Sequence, residues 1–439
     1  MLPRQNASDT IFALSTGQLP SGVAVIRISG NGAFNAIQKL CGVVPEARVA
    51  RLVTIRDEVG EVVDQGLCLT FPAPRSFTGE NCAELQVHGG RAVVNKLLQC
   101  LAALPDLRIA EAGEFSKRAY LNGKLNLTEA EALADLIDAE TEAQRQFALS
   151  NQTMAHERLY DQWREKLLHI RAYMEAELDF ADETDVPDDA ASWIWNDLED
   201  LHSAIRAHIE SYRSAEIIRE GFRVALIGAP NAGKSTLLNH LAKREAAIVS
   251  EIPGTTRDVI EVQLELDGFK VILTDTAGIR EDADEVEAIG IERSLKAAED
   301  AHLILHLIDG SNPRKVREHG DADQIDVYTK ADIATPDDGC IAISTHRNIG
   351  IQTLLDAMVA ACRRSTSSLN SVSPFRLRHV RELEKGAAAI NRALNQPRDL
   401  LELSAEEMRE ASDALARICG RSDVEEILGA IFSSFCVGK

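Results

Sequence analysis

Gly228-Ala229-Pro230-Asn231-Ala232-Gly233-Lys234-Ser235 has the spacing GxxxxGKS. The apolar run Val224 to Ile227 precedes it, and a helical pattern follows from Thr236. A Gly-rich turn between a strand and a helix N-terminus is the setting that a phosphate-binding loop requires. Backbone N–H groups and the positive helix end converge there on an anion. Lys234 is expected to reach the β- and γ-phosphates and Ser235 to ligate Mg²⁺. Asn231, Ala232, Gly233 and Thr236 complete the stretch expected to meet the nucleotide.

Three segments follow in the order that guanine-nucleotide-binding proteins use. Gly254-Thr255-Thr256-Arg257-Asp258 offers a switch threonine, Thr256, for Mg²⁺ and the γ-phosphate. Asp275-Thr276-Ala277-Gly278 ends an apolar run that starts at Val271. Asp275 is expected to hold Mg²⁺ through water, and the Gly278 N–H to contact the γ-phosphate. Thr329-Lys330-Ala331-Asp332 places an aspartate to accept from guanine N1 and N2, a pattern of donors that adenine lacks. Threonine stands there where NKxD has asparagine, so one base contact is weakened or remade. Ser344-Thr345 fits a loop over guanine O6. Ile279, directly after Gly278, cannot orient water, so another group must do so. The acids among Glu281 to Glu287 are candidates, although a solvated loop face would look the same.

Around this core the chain shows three textures, and they predict a multidomain protein of mixed α+β and α/β class. Residues 1–120 alternate short β-type runs with turns and helical patterns, an α+β domain. Residues 121–215 are helical: Leu159, Trp163, Leu167, Ile170, Met174 and Leu178 repeat at spacings of three and four. Thr128 and Glu131 are expected to form a capping box there. Residues 216–368 alternate strands with helices, which predicts a mainly parallel sheet of the Ras-like type. Helical periodicity returns over 369–439, so the nucleotide domain reads as inserted into a helical domain made of two chain segments.

Composition narrows the partners. The net charge is −22 over 439 residues, which argues against broad nucleic-acid binding. The first 120 residues hold 12 Lys and Arg against 11 Asp and Glu, so the acidity lies beyond them. Any RNA partner therefore needs a local patch. No apolar run approaches the ~18 residues that span a bilayer, and the N-terminal residues lack a secretory pattern. Cys41, Cys68, Cys82, Cys100, Cys340, Cys362, Cys419 and Cys436 form no CxxC pair, as expected of a cytoplasmic chain.

The whole chain resembles the bacterial tRNA modification GTPase family MnmE, also called TrmE. The likeness rests on Asp9-Thr10-Ile11, Gly22-Val23 to Gly30, Phe77-Thr78-Gly79-Glu80, His88-Gly89-Gly90, Gly113-Glu114-Phe115-Ser116, Asp284 to Glu287, the nucleotide motifs and the terminal Phe435-Cys436-Val437-Gly438-Lys439. It implies modification of C5 of the wobble uridine of certain tRNAs, of the aminomethyl or carboxymethylaminomethyl type. The partner it implies is FAD-dependent MnmG in a heterotetramer, and the one-carbon donor a 5-formyl- or methylene-tetrahydrofolate. It further implies a homodimer through the N-terminal domain, with G domains that associate when GTP and K⁺ are bound.

Residue by residue, the resemblance makes Asn231, Ser250, Ile252 and Thr255 the K⁺ ligands, with Ser250 where threonine is usual. It makes Glu287 the residue that orients water and gives Cys436 a catalytic role. Arg27, Glu84, Lys124 and Lys439 match the family's folate-binding positions. Two other readings compete. A ribosome-assembly GTPase that binds rRNA without modifying it would share the nucleotide motifs, but such proteins append a basic RNA-binding module that is not visible here. A folate-dependent methyl-transfer protein with a vestigial G domain is disfavoured by intact Lys234, Ser235 and Asp275.

Overall fold

Alternation of apolar residues builds the first sheet. In the computed structural model, which describes residues 9–179, 192–244, 260–275, 299–312, 323–334, 340–370, 372–398, 400–421, 425–433, 435 and 438, this sheet opens the chain. Its strands are β1 (Thr10–Leu14), β2 (Ser21–Ser29), β3 (Arg51–Arg56), β4 (Val62–Phe71), β5 (Cys82–Gly89) and β6 (Leu107–Ile109). They run in the order β3-β4-β5-β2-β1-β6, antiparallel except for the β1–β6 pair. Helices α1 (Ala33–Cys41) and α2 (Arg91–Ala102) cover one face, packing Ile37, Leu40, Leu97 and Leu101 on Ile26, Ile28, Ile55 and Leu85. The period of two then sends Arg27 and Glu84 to the opposite face, as the register Leu69–Glu84–Arg27–Ala13 shows.

This sheet belongs to a compact unit made of Met1–Ala134 with Ala416–Lys439. Its helix α3 (Glu114–Leu121) adds Phe115 to a small core of Ile11, Ala13 and Ala110. Leu127 and Ala130 of α4 (Leu127–Asp138) bury against Leu428 and Phe432 at the C-terminal end of the chain. The expected capping box at Thr128 and Glu131 is not what caps α4. Asn126 Oδ1 accepts from the Glu129 N–H at 2.7 Å, and Glu129 Oε2 accepts from the Asn126 N–H at 2.9 Å. The helix starts two residues earlier than the Thr128 reading allows, and Thr128 and Glu131 are buried inside it. Asparagine is as good an N-cap as threonine.

The second unit is Asp135–Leu415. It contains helices α5 (Glu142–Asn151), α6 (Ala155–Asp179), α7 (Ser192–Glu210) and α8 (Tyr212–Glu220). In α6 the buried stripe is His156, Tyr160, Trp163, Leu167, Ile170 and Met174. Tyr160 takes the place expected for Leu159, which is only half-buried. The second sheet then follows, with β7 (Phe222–Gly228), α9 (Lys234–Ala242), β8 (Ile260–Leu266), β9 (Phe269–Asp275), β10 (Leu303–Asp309), β11 (Asp323–Thr329), β12 (Ile341–Ala342) and α10 (Ile351–Ser365). Its order is β12-β11-β10-β7-β9-β8, parallel except for β8 against β9. This is the mainly parallel sheet expected from the alternation of strands and helices.

Helices α11 (Leu377–Asn395) and α12 (Leu401–Ile418) follow, and α13 (Glu425–Ser433) is the last element among the described residues. α11 packs on α7, His156 Nε2 lies 2.8 Å from the Ser373 carbonyl, and Phe375 meets Phe147 edge to face. Helices from before and after the second sheet therefore pack together within this unit. No helix among the described residues is long and apolar enough to cross a membrane.

Candidate functional site

The end of β7 places the phosphate loop. Gly228 has φ +158°, and a Cβ there would stand 2.4 Å from the Leu307 carbonyl oxygen, so the loop can leave the sheet only through glycine. Gly233, at φ +94°, caps α9 in the left-handed region. Lys234 is buried at the start of that helix, and its Nζ donates to the loop's own carbonyls, Gly228 O at 2.7 Å and Ala229 O at 3.1 Å. Burial pushes its ammonium below the ordinary value. An anionic oxygen entering the loop offers that ammonium a charge-assisted bond in place of neutral carbonyls.

Ser235 Oγ donates to Asp275 Oδ2 at 2.7 Å, which joins the first residue after the loop lysine to the end of β9. A hydroxyl and a carboxylate this close form an oxygen-only donor set, which suits a hard dication such as Mg²⁺. Asn231 and Thr236 are exposed, while Ala232 is buried.

The TKAD run lies at the end of β11. Lys330 Nζ donates to Asp309 Oδ2 at 2.5 Å, and that ammonium, with the Ser311 hydroxyl, holds the Asp309 carboxyl down at about 2. Asp332 is hydrogen-bonded by Ser344, which holds its carboxyl below the usual range. The Ala331 N–H donates to Ile343 O at 3.0 Å, and Ser344 and Ile349 exchange both backbone bonds at 3.0 Å. The structure thus brings Asp332 and Ser344 together in one rigid corner. An ionised Asp332 accepts two N–H donors at once, as guanine N1 and N2 would supply them.

A second cluster stands on the face of the first sheet opposite α1 and α2. Arg27 Nε donates to Glu84 Oε1 at 3.0 Å, and its guanidinium lies 5.2 Å from the Phe77 ring centre and 5.7 Å from that of Phe115. Lys124 is exposed, and its stem packs beside Gly79, where an added Cβ would stand 3.3 Å from Lys124 Cε. Gly438 lies against the end of β1. Ser15 Oγ donates to Gly438 O at 2.9 Å, and Gly438 sits against Leu14, one position along β1 from the Ala13–Arg27–Glu84 row. The Arg27 and Glu84 side chains stay 23% and 20% exposed, so a cation and an acid face solvent together beside these rings.

Two family models match this chain. One, described as the MnmE helical domain, covers residues 127–436, and the other, the GTP-binding protein TrmE N-terminus, covers residues 10–124. The chain belongs to the MnmE family. It is similar to the tRNA modification GTPase MnmE of Chelativorans sp. (strain BNC1), with 54% identity over 98% of each chain. The tRNA modification GTPase MnmE of Brucella melitensis biotype 1 is 50% identical, again over 98% of each. The solved G domain of the T. maritima FeoB iron transporter aligns at 24% identity over 32% of this chain and 98% of its own, with a TM-score of 0.24, too low to add to the assignment.

Several MnmE-type residues expected from the sequence lie outside the described residues: Ser250, Ile252, Thr255, Thr256, Gly278, Glu287, Cys436 and Lys439. Other contacts could not be read from the sequence, although several of the residues that make them stand in the runs quoted above. Phe77 and Phe115 bracket Arg27 from a loop and a helix that only the fold brings together. Arg118 donates to Asp9, Glu80 and Glu114, and Arg108 to Asp9 and Glu114. This network ties the loop after Phe77 to β6 and α3, and its members are separated by up to 109 residues. A lone arginine in a short helix carries no hint of it.

Proposed function

We propose that this chain is the GTP-hydrolysing subunit of a complex that modifies C5 of the wobble uridine of certain tRNAs, using a one-carbon unit from tetrahydrofolate. The observation that carries the reading is the coexistence of two built sites in one chain of this family. One is the phosphate loop with Ser235 on Asp275, and the other is the Arg27–Glu84 pair between two rings. The relatives' name, tRNA modification GTPase MnmE, supports it.

In this reading Lys234 and the loop N–H groups hold the β- and γ-phosphates, and Asp332 with Ser344 holds guanine. Ser235 and Thr256 would hold Mg²⁺, which would supply positive charge to neutralise that of the phosphates. Asn231, Ser250, Ile252 and Thr255 would hold K⁺, a fixed positive charge beside the leaving group. Glu287 orients the attacking water, a task that Ile279 cannot perform. Arg27, Glu84, Lys124 and Lys439 bind the tetrahydrofolate derivative, whose role when bound is to supply the one-carbon unit, and Cys436 acts in the modification step.

The partners are a second copy of the chain, FAD-dependent MnmG and tRNA, in the cytoplasm. Leu52 and Leu67, paired across β3 and β4 on the sheet face opposite α1 and α2, are 69% and 38% exposed, which supports association of copies through the N-terminal unit. The described cysteines are free thiols, in keeping with a reducing compartment.

Hydrolysis is expected to run faster in K⁺ than in Na⁺ at matched ionic strength, and equal rates would remove the cation assignment. Glu287→Ala is expected to abolish turnover with nucleotide affinity largely kept; unchanged turnover would return Glu287 to an ordinary surface acid. Deleting the gene is expected to strip the C5 group from wobble uridines. Intact tRNA beside accumulated ribosome precursors would favour an rRNA-binding switch instead.

A further inference from the structure

Thr329 ends β11 at the position where NKxD has asparagine, and its surroundings decide what it can do. The residue is 6% exposed. Its Oγ1 lies 2.9 Å from the Ala232 carbonyl oxygen of the phosphate loop and 3.3 Å from the Ile308 carbonyl oxygen of β10. Both neighbours are acceptors. A hydroxyl has one hydrogen, so it is donated to one carbonyl or the other. Purine N7 is likewise an acceptor and can be read only by a donor. An asparagine amide carries two N–H hydrogens and could serve a carbonyl and a ring nitrogen together, whereas threonine cannot. Lys330, the next residue, holds its ammonium on Asp309 at 2.5 Å.

We propose that Thr329 is a tie on the phosphate loop and not a reader of the base, so that this chain selects guanine through Asp332 and the Ser344 corner and leaves purine N7 unread. The inference rests on the guanine-nucleotide reading above and adds a specificity rule to it. Thr329 joins the end of β11 to Ala232, next to the Gly233 cap of α9. It thereby couples the base corner to the loop that cradles phosphate. Loss of the tie should therefore weaken every nucleotide alike, irrespective of the atom at position 7.

The test is displacement of methylanthraniloyl-GDP from the purified full chain by GTP and by 7-deaza-GTP, which carries C–H in place of N7. The expected affinities agree within about threefold, and a larger penalty for 7-deaza-GTP would overturn the inference, because it would mean that a donor meets N7. Thr329→Val, similar in volume and without the hydroxyl, is expected to weaken both nucleotides by the same factor, about tenfold for a buried hydrogen bond lost. A loss confined to GTP would overturn the inference. Thr329→Ser keeps the donor and is expected to keep both affinities. Failure of GTP and GDP to displace the probe from the wild-type chain would instead overturn the nucleotide reading itself, an outcome distinct from discrimination at N7.

Discussion

Lys234 Nζ rests on two carbonyl oxygens of its own loop and Ser235 Oγ on Asp275, so the charged and hydroxyl groups that a nucleotide needs are already aimed into the loop. Lys234→Ala removes charge-assisted bonds, each contributing about 1.5–3 kcal/mol. GTP affinity is expected to fall by tenfold or more, as read by calorimetric titration, and an unchanged Kd would exclude Lys234 from the phosphate site. These residues were legible in the sequence because the phosphate loop works through backbone and one lysine, all within a single short run. Thr329 was legible as a departure from NKxD but not as a tie to Ala232, since the two are 97 residues apart and only sheet register brings them together. The rings around Arg27 were hidden for the same reason.

Among the elements, those with strong periodicity could be read from sequence, and their ends could not. β7 and β10 are apolar runs buried on both faces, and the sequence shows them as such. β8 alternates Ile-Glu-Val-Gln-Leu-Glu-Leu, yet as the antiparallel edge it breaks the strand–helix rhythm on which the reading relied. The α4 cap is the clearest miss, because Thr128 and Asn126 are both good caps and only the hydrogen bonds choose between them. Asn126→Ala is therefore expected to cost about 1 kcal/mol in a urea melt. Thr128→Val, which leaves both cap bonds to Glu129 in place and removes only the 2.8 Å bond from the Thr128 hydroxyl to Asn126 Oδ1, is expected to cost less. The reverse order would restore the first reading of the cap.

For the molecule as a whole, helical texture on both sides of the nucleotide motifs was legible, but the packing of the two flanks was not. It is fixed by buried groups such as His156 on Ser373 and the Phe147–Phe375 contact. Beside them His208 meets the Tyr160 hydroxyl at 3.0 Å and the Trp163 ring edge-on. Burial, helped by neighbouring His156, pushes its imidazole down to about 3 from 6.5. The unfolded chain then binds the proton more readily. Stability is full above pH 6.5 and falls between 6.5 and about 3, by up to ~1.4 kcal/mol per pH unit for this group. His208→Gln is expected to flatten that part of the stability profile, and an unchanged slope would show that His208 is charged in the fold. The chain end returns to the first sheet at Gly438, whose φ of +97° and contact with Leu14 O leave no room for a Cβ. Gly438→Ala is expected to weaken a tetrahydrofolate derivative about tenfold or more and to leave GTP affinity unchanged, as two titrations would show. The central claim is that the phosphate loop and the Arg27 site serve one tRNA modification, and mass spectrometry of wobble nucleosides tests it most directly. In a strain lacking the gene, the wild-type chain should restore the C5 group, whereas Lys234→Ala and Arg27→Ala should each fail to do so. Full restoration by either variant would contradict the account.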